Sequence, residues 1–86
     1  MAKYELVFMR SVYKDLRPIA KADVTRILKR IDALADDPRG PSCEKLSDQE
    51  RYRVRQGIYR IVYEIRDKQL IVTVVRIGHR GSVYNQ

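Results

Sequence analysis

The side chains in this sequence that are best suited to contact an anion are arginines with a regular spacing. Arg53 and Arg55 are two apart in a segment that alternates polar and apolar residues, so both leave a strand on one face, about 7 Å apart. Arg60 lies in the next alternating segment, and antiparallel pairing places it across from or diagonal to them. Arg80 follows the last apolar segment, and Tyr84 comes four residues later. The spacing therefore predicts that these guanidiniums and the phenol converge on one concave surface.

Like charges gathered in this way destabilise a fold unless an anion lies between them. Local conflicts of this kind are typical of functional sites. The alternative interpretation is that each arginine is a separate solvated residue of its strand. The shared phase of Arg53 and Arg55 favours the first interpretation, a site for a phosphate group.

The positive charge of the chain is concentrated in its second half. The net charge is +7, and residues 51–86 hold eight Lys or Arg against two acidic residues, whereas residues 1–50 hold ten against nine. Seven of those eight are arginines, whose planar donors suit phosphate better than the point charge of lysine. The distribution favours a polyanionic partner, a nucleic acid or an acidic protein, over a merely solvated basic face.

Other classes of function are excluded by the residues present. One cysteine, Cys43, and one histidine, His79, exclude an intramolecular disulfide and a metal site built from these residue types. No glycine-rich phosphate loop, paired-carboxylate signature or Ser/His/Asp set is recognisable. The longest apolar stretch, Leu70–Ile77, is far shorter than the roughly 20 residues that span a bilayer, and the N-terminus has no signal-peptide pattern. We therefore expect a cytoplasmic protein without a metal, a cofactor or a membrane contact.

Cationic groups and a phenol are sufficient for one reaction, the cleavage of RNA. The substrate supplies the nucleophile, because its 2′-hydroxyl attacks the adjacent phosphodiester. The protein must neutralise the added negative charge of the transition state and move two protons. The ordinary pKa of tyrosine, near 10, is too high for a base at neutral pH, but surrounding guanidiniums favour the anion and lower that pKa. The arginines would thus both bind phosphate and activate Tyr84.

Hydrophobic periodicity predicts the elements that position these residues. The predicted bounds are a strand at Tyr4–Phe8, a short helix at Val12–Arg17 with Ser11 as N-cap, an amphipathic helix at Ile19–Ala35, a loop at 37–50, a strand from Tyr52, a strand at Tyr59–Ile65, and a central strand at Leu70–Ile77 that is covered on both faces and that Gly78 ends. The apolar face of the longer helix packs on one face of the sheet, which leaves the other face to the arginines. The predicted fold class is α+β with two layers, an N-terminal strand and a helical hairpin packed on an antiparallel C-terminal sheet. We expect residues 1–86 to form a single domain.

Three segments carry a resemblance to a known family. They are Tyr52-Arg53-Val54-Arg55-Gln56-Gly57-Ile58-Tyr59-Arg60-Ile61-Val62-Tyr63, Ile77-Gly78-His79-Arg80 and the terminal Tyr84. With the opening strand, the helical hairpin and the Asp-Pro pair after the second helix, they make the chain similar over its whole length to the RelE/ParE toxin superfamily. More narrowly, the chain resembles RelE-type ribosome-dependent mRNA interferases. The resemblance implies a RelE-like fold and the toxin of a type II toxin–antitoxin system, a metal-independent endoribonuclease that cleaves mRNA and inhibits translation.

The resemblance also implies catalytic roles for individual residues. Arg53 and Arg55 match two basic residues of the family's active site. Arg60 and Arg80 match arginines that stabilise the scissile phosphate. Tyr84 matches a tyrosine that stacks on the substrate or activates it near the 2′-hydroxyl. The further candidates for binding RNA are Arg51, Arg76 and His79, the last at a position that varies in the family.

One departure from the family pattern concerns proton transfer. Several relatives have lysines where this chain has Arg53 and Arg55. Arginine hardly deprotonates, which weakens a general-acid or general-base role at these positions. Proton transfer then falls to Tyr84 or His79.

The superfamily further implies two kinds of partner, a cognate acidic antitoxin and a ribosome with its mRNA. The toxin–antitoxin complex is expected to be an oligomer. A cationic half with exposed strand edges suits an acidic segment that binds by charge and by strand addition. Two alternatives stay open: a ParE-like toxin that inhibits DNA gyrase and cleaves nothing, and a noncatalytic RNA-binding domain. The arginines with Tyr84 favour the nuclease, because a protein-binding inhibitor has no need of a phosphate pocket.

Overall fold

The computed structural model describes residues 3–46 and 50–79, which form two helices and a five-stranded sheet. The elements are β1 at Glu5–Phe8, α1 at Arg10–Leu16, α2 at Lys21–Leu34, β2 at Cys43–Lys45, β3 at Arg51–Gln56, β4 at Tyr59–Arg66 and β5 at Ile71–His79, with a 3₁₀ turn at Asp67–Gln69. The strand order is β1-β5-β4-β3-β2, with β1 parallel to β5 and the other neighbours antiparallel. Neither helix in these ranges has the length and apolar character needed to cross a membrane.

Both helices pack on one face of the sheet, so the predicted two-layer α+β fold is confirmed. This face is called the inner face, and the opposite one the outer face. The core between the layers includes Val12 of α1, Ile27 and Ile31 of α2, and Ile61 and Tyr63 of β4, each at most 1% exposed. Burial of each such aliphatic side chain stabilises the fold by about 1.5–3 kcal/mol. The charged groups of the sheet are therefore left to the outer face.

The amphipathic helix is close to its prediction, but its apolar stripe is narrower than the sequence pattern indicates. α2 begins at Lys21 and ends at Leu34. Ile27, Ile31 and Leu34 are buried, whereas Leu28 is 39% exposed. Leu28 is about 100° around the helix from Ile27, which places it at the margin of the contact with the sheet.

The first helix starts earlier than the sequence predicts. α1 begins at Arg10 with Met9 in the N-cap position and no capping side chain, so the prediction of Ser11 as N-cap is wrong. Asp15 reaches from α1 to the sheet, where its Oδ2 accepts a hydrogen bond from the backbone N–H of Ile77 at 3.0 Å. This contact holds α1 against the end of β5.

Three expectations about the strands need correction. β2 lies within the segment predicted as a loop. Its three residues pair with β3, but they show no apolar alternation from which a strand could be predicted. β5 continues through Gly78 to His79, since Gly78 pairs with Arg60 in the ladder. Gly78 therefore does not end the strand. β5 is central, as predicted, but only its inner face is fully buried, and Thr73 on the outer face is half-buried.

Tyr63 joins the core to the loop after α2. Its hydroxyl donates a hydrogen bond of 2.6 Å to the carbonyl oxygen of Pro38, and burial raises the pKa of that hydroxyl well above its ordinary value. In Tyr63→Phe the buried carbonyl loses its donor, and we expect the free energy of unfolding to fall by about 1–3 kcal/mol. Urea denaturation measures this change. An unchanged midpoint would show that the hydroxyl contributes nothing.

Candidate phosphate-binding site

Arg55 and Arg60 lie directly opposite each other on the outer face of the sheet. They are Cα partners in the antiparallel β3–β4 pair, which places their Cβ atoms about 4.5–5.5 Å apart. Gly78 of β5 is the next partner of Arg60 and has no side chain to cover it. The register thus places Arg60 across from the strand of Arg53 and Arg55, as the alternation predicts.

Two more arginines extend this pair into a cluster. Arg53 of β3 and Arg76 of β5 are both Cα partners of Val62, and Arg53, Arg55, Arg60 and Arg76 are called the arginine cluster below. Arg55 and Arg76 are exposed, whereas Arg60 is 4% exposed and is the only charged residue buried in the described part of the chain. A buried cation beside a like charge costs stability unless an anion compensates it. The cluster therefore has the character of an anion site.

Glutamates lie opposite the other arginines of β3. Arg51 pairs with Glu64 of β4, with Nη2 2.5 Å from Oε2. Arg53 pairs with Glu44 of β2, with Nε 3.4 Å from Oε1. Neither glutamate is among the residues predicted for the site from the sequence. Glu64 could have been predicted, because the alternation along β4 places it on the same face as Arg60. Glu44 could not, because it belongs to a strand that no sequence pattern predicts.

His79, a further predicted contact for RNA, is not brought to the arginine cluster. His79 is the Cα partner of Tyr59 and follows Gly78, so its side chain leaves β5 on the inner face. Its ring meets the Tyr59 ring edge-on, with 6.3 Å between centroids. Arg80 and Tyr84 lie outside the described residues.

The arrangement can bind and stabilise negative charge but cannot by itself transfer protons. Guanidiniums bind phosphate oxygens through paired hydrogen bonds and stabilise charge that develops in a transition state. They do not deprotonate near neutral pH. Within residues 3–46 and 50–79, no group of three or more His, Cys, Asp or Glu side chains is placed to hold a metal ion.

A second charged cluster, around Arg39, lies at the other end of β3 and has a structural role. Arg39 donates to the hydroxyl of Tyr52 at 3.0 Å and to the two carboxylate oxygens of Asp67 at 3.0 and 2.9 Å. Glu50 accepts from the same guanidinium. Asp67 also accepts from the hydroxyl of Tyr4 at 2.7 Å. These contacts connect the loop after α2 to β3, the 3₁₀ turn and the start of the described chain.

The hydrogen bonds from Arg39 lower the pKa values of Asp67 and Glu50 below their ordinary range. A carboxyl group with a lower pKa in the folded chain binds fewer protons there, so it stabilises the fold above its unfolded pKa near 4. We expect this contribution to be lost as the pH falls through the folded pKa values. Thermal unfolding from about pH 6 to pH 2 measures the loss, and Arg39→Met should make the dependence shallower. Identical pH profiles for the two proteins would contradict this role of Arg39.

Known proteins resemble the chain in sequence. The family model described as the ParE toxin of type II toxin–antitoxin system, parDE, matches residues 6–84. A RelE-like toxin protein of Escherichia coli is 30% identical over 87 residues, which cover 96% of this chain and 92% of that relative. These two matches each span nearly the whole sequence.

Solved structures show the same fold. The archaeal RelE–RelB complex from Pyrococcus horikoshii matches with a TM-score of 0.79 at 25% identity, over 94% of this chain and 98% of that chain. A mutant of the Escherichia coli RelE toxin in the free state matches with a TM-score of 0.81 at 22% identity, over 99% of this chain and 93% of that chain. The RelE-like fold is confirmed, and with the match over residues 6–84 the chain belongs to the ParE toxin family, within the RelE/ParE superfamily of type II toxins.

Proposed function

We propose that this toxin is a ribosome-dependent mRNA endonuclease that works without a metal ion and inhibits translation in the cytoplasm. The observation that supports the proposal best is the opposition of Arg55 and Arg60 beside Gly78. Two guanidiniums that face each other beside a residue without a side chain suit one phosphate group. We also propose that residues 1–86 form a single domain.

The arginines act on charge during the proposed reaction. The 2′-oxygen of RNA forms a bond to phosphorus while the bond to the 5′-oxygen breaks, and the intermediate phosphorane carries added negative charge. Arg60, held at 4% exposure, and Arg55 stabilise that charge without having to reorganise. One proton leaves the 2′-oxygen and another reaches the 5′-oxygen, so the products are a 2′,3′-cyclic phosphate and a 5′-hydroxyl.

The removal of the proton from the 2′-oxygen is assigned to a residue outside the arginine cluster. Tyr84 is the proposed base, and Arg80 is proposed as a further contact to the scissile phosphate. His79 points to the inner face, so Tyr84 is preferred over it. The flanking phosphates are proposed to contact Arg53, Arg76 and Arg51.

A cognate acidic antitoxin is the second proposed partner. Solved relatives include RelE–RelB complexes from Pyrococcus horikoshii and Escherichia coli. In this chain β2 is an outer strand of the sheet, and a free strand edge accepts an added strand from a partner. An acidic segment there would also lie beside the arginine cluster and block it, within an oligomeric toxin–antitoxin complex.

A ParE-like inhibitor of DNA gyrase is the second candidate function, favoured by the description of the matching family. Such a toxin acts by binding a protein and needs no phosphate site. The buried Arg60 opposite Arg55 is then without a function, which is why the nuclease is preferred.

Brief induction of the toxin in a bacterial host, followed by mapping of 5′ ends on translated messages, tests the proposal. We expect new 5′-hydroxyl ends within reading frames. In ribosome complexes assembled in vitro, a synthetic message whose scissile nucleotide lacks its 2′-hydroxyl should not be cleaved. DNA breaks without new RNA ends would indicate gyrase inhibition. RNA binding without new ends would indicate a noncatalytic domain, and either result overturns the proposal.

A further inference from the structure

The charge pattern on the outer face changes along β3. Arg51 and Arg53 each lie opposite a glutamate, whereas Arg55 lies opposite another arginine. Opposite charges across a strand pair stabilise it and like charges destabilise it. Glutamates thus face the arginines at the start of β3, whereas a second cation faces Arg55 at the end next to Gly57.

The Arg53–Glu44 pair is the nearer of the two to Arg55 and Arg60. Nε of Arg53 lies 3.4 Å from Oε1 of Glu44, and the two side chains are 12% and 55% exposed. The carboxylate is thus the more exposed of the two groups, and its negative charge opposes a phosphate that approaches Arg53. Arg51 is held more closely, because its Nε and Nη2 donate hydrogen bonds of 3.2 and 2.5 Å to Oε2 of Glu64.

We propose that Glu44 and Glu64 compete with RNA phosphates for the arginines opposite them, and so restrict tight phosphate binding to the Arg55–Arg60 end of the outer face. A phosphate that binds Arg53 must displace the Glu44 carboxylate and is repelled by it. At Arg55 the residue opposite is a cation that adds to the attraction. The inference rests on the proposed RNA-cleaving function and adds residues that determine where on the outer face the RNA phosphates bind.

This competition favours one path of the RNA backbone across the outer face. An RNA backbone held at Arg55 and Arg60 continues favourably across the strands toward the exposed Arg76 of β5. It continues less favourably along β3 toward β2. Free RNA is then bound weakly, because phosphate contacts dominate the affinity for a nucleic acid and two of the arginines already have internal counter-ions.

A salt titration of RNA binding tests the competition. The probe is a fluorescein-labelled single-stranded RNA of twelve nucleotides with 2′-O-methyl groups, which lacks the attacking hydroxyl. Anisotropy gives the affinity at a series of NaCl concentrations for the unchanged chain and for Glu44→Gln. The matched control is Glu5→Gln, which changes the net charge equally at an exposed outer-face position on β1, at the far edge of the sheet.

We expect Glu44→Gln to bind the probe about two- to fivefold more tightly at low salt, the range of an exposed ion pair. The plot of log K against log salt should steepen by about 0.7, the value for one further phosphate of a single strand. Glu5→Gln should leave the slope unchanged. Glu64→Gln should act in the same direction, but it removes the carboxylate that both Arg51 and Arg66 contact, so Glu44→Gln decides the outcome.

Equal slopes for Glu44→Gln and Glu5→Gln overturn the competition. Weaker binding by a folded Glu44→Gln also overturns it, because Glu44 would then orient Arg53 for the substrate. If Arg55→Gln weakens binding while Glu44→Gln changes nothing, the competition fails and the proposed function stands. If the unchanged chain shows no salt-dependent RNA binding, the competition fails, whereas the proposed function is decided separately by the mapping of 5′ ends. Thermal unfolding of each variant checks that the fold is kept.

Discussion

Replacement of Arg60 by alanine is expected to slow mRNA cleavage by about 10²–10³-fold, the typical loss for one preorganised donor at a developing oxyanion. Arg60 is 4% exposed and lies between Arg55 and Gly78 in the sheet. In the proposed reaction, a cation fixed in this position stabilises the transition state without reorganising. The rate at which 5′ ends appear on a translated message measures the effect.

Arg66→Ala is the matched control for this experiment. Arg66 is on the same strand and the same face, but its side chain is 63% exposed and lies at the far end of β4. We expect it to retain nearly full activity. Because Arg60 is buried, its loss also leaves a cavity, so circular dichroism must show that Arg60→Ala is folded. A folded Arg60→Ala that cleaves as fast as Arg66→Ala would remove Arg60 from the mechanism.

Arg55→Glu is expected to move stability and activity in opposite directions. The substitution replaces a like-charge pair with Arg60 by a cross-strand ion pair, which should stabilise the fold by about 0.2–1 kcal/mol. The new carboxylate would also occupy Arg60 and repel phosphate. We expect cleavage to fall by at least about 10²-fold.

Urea denaturation and the cleavage assay, run on the same preparations, test both halves of this prediction. Arg55→Gln is the control, since it removes the repulsion without adding an internal anion, and it should lie between the two proteins in stability. A gain in stability with loss of activity is typical of sites that are kept under strain for function. Lower stability in a folded Arg55→Glu would show that the arginine pair is not in conflict.

The arrangement of Arg53, Arg55 and Arg60 could be predicted from local pattern alone. Strict alternation fixes which residues share a face, and the two-residue turn fixes the register of the hairpin. Gly57 adopts a φ of +62° in that turn, a conformation that glycine reaches at little cost. The long helix is also readable, because its apolar residues recur with helical period.

The face of the sheet on which the last side chains of β5 lie could not be predicted, because it depends on how β5 pairs with β4. The register shifts between Val62 and Tyr63, so one extra residue of β5 interrupts the alternation that Val72 and Val74 establish. This irregularity turns Arg76 to the outer face. It equally sends His79 to the inner face, away from the arginine cluster.

The hydrogen bond between Asp15 and Ile77 affects how this chain can associate with other chains through the edge of β5. β1 pairs with β5 only as far as Val74, and no other described strand lies on that side of β5. Bare strand edges invite unwanted pairing between molecules, and an inward-pointing charge is one of the known defences. Asp15 already occupies the N–H of Ile77 at 3.0 Å, so an incoming strand must expel a carboxylate to bond there. The short helix thereby protects this end of the β5 edge against self-association, on the side of the sheet opposite to β2.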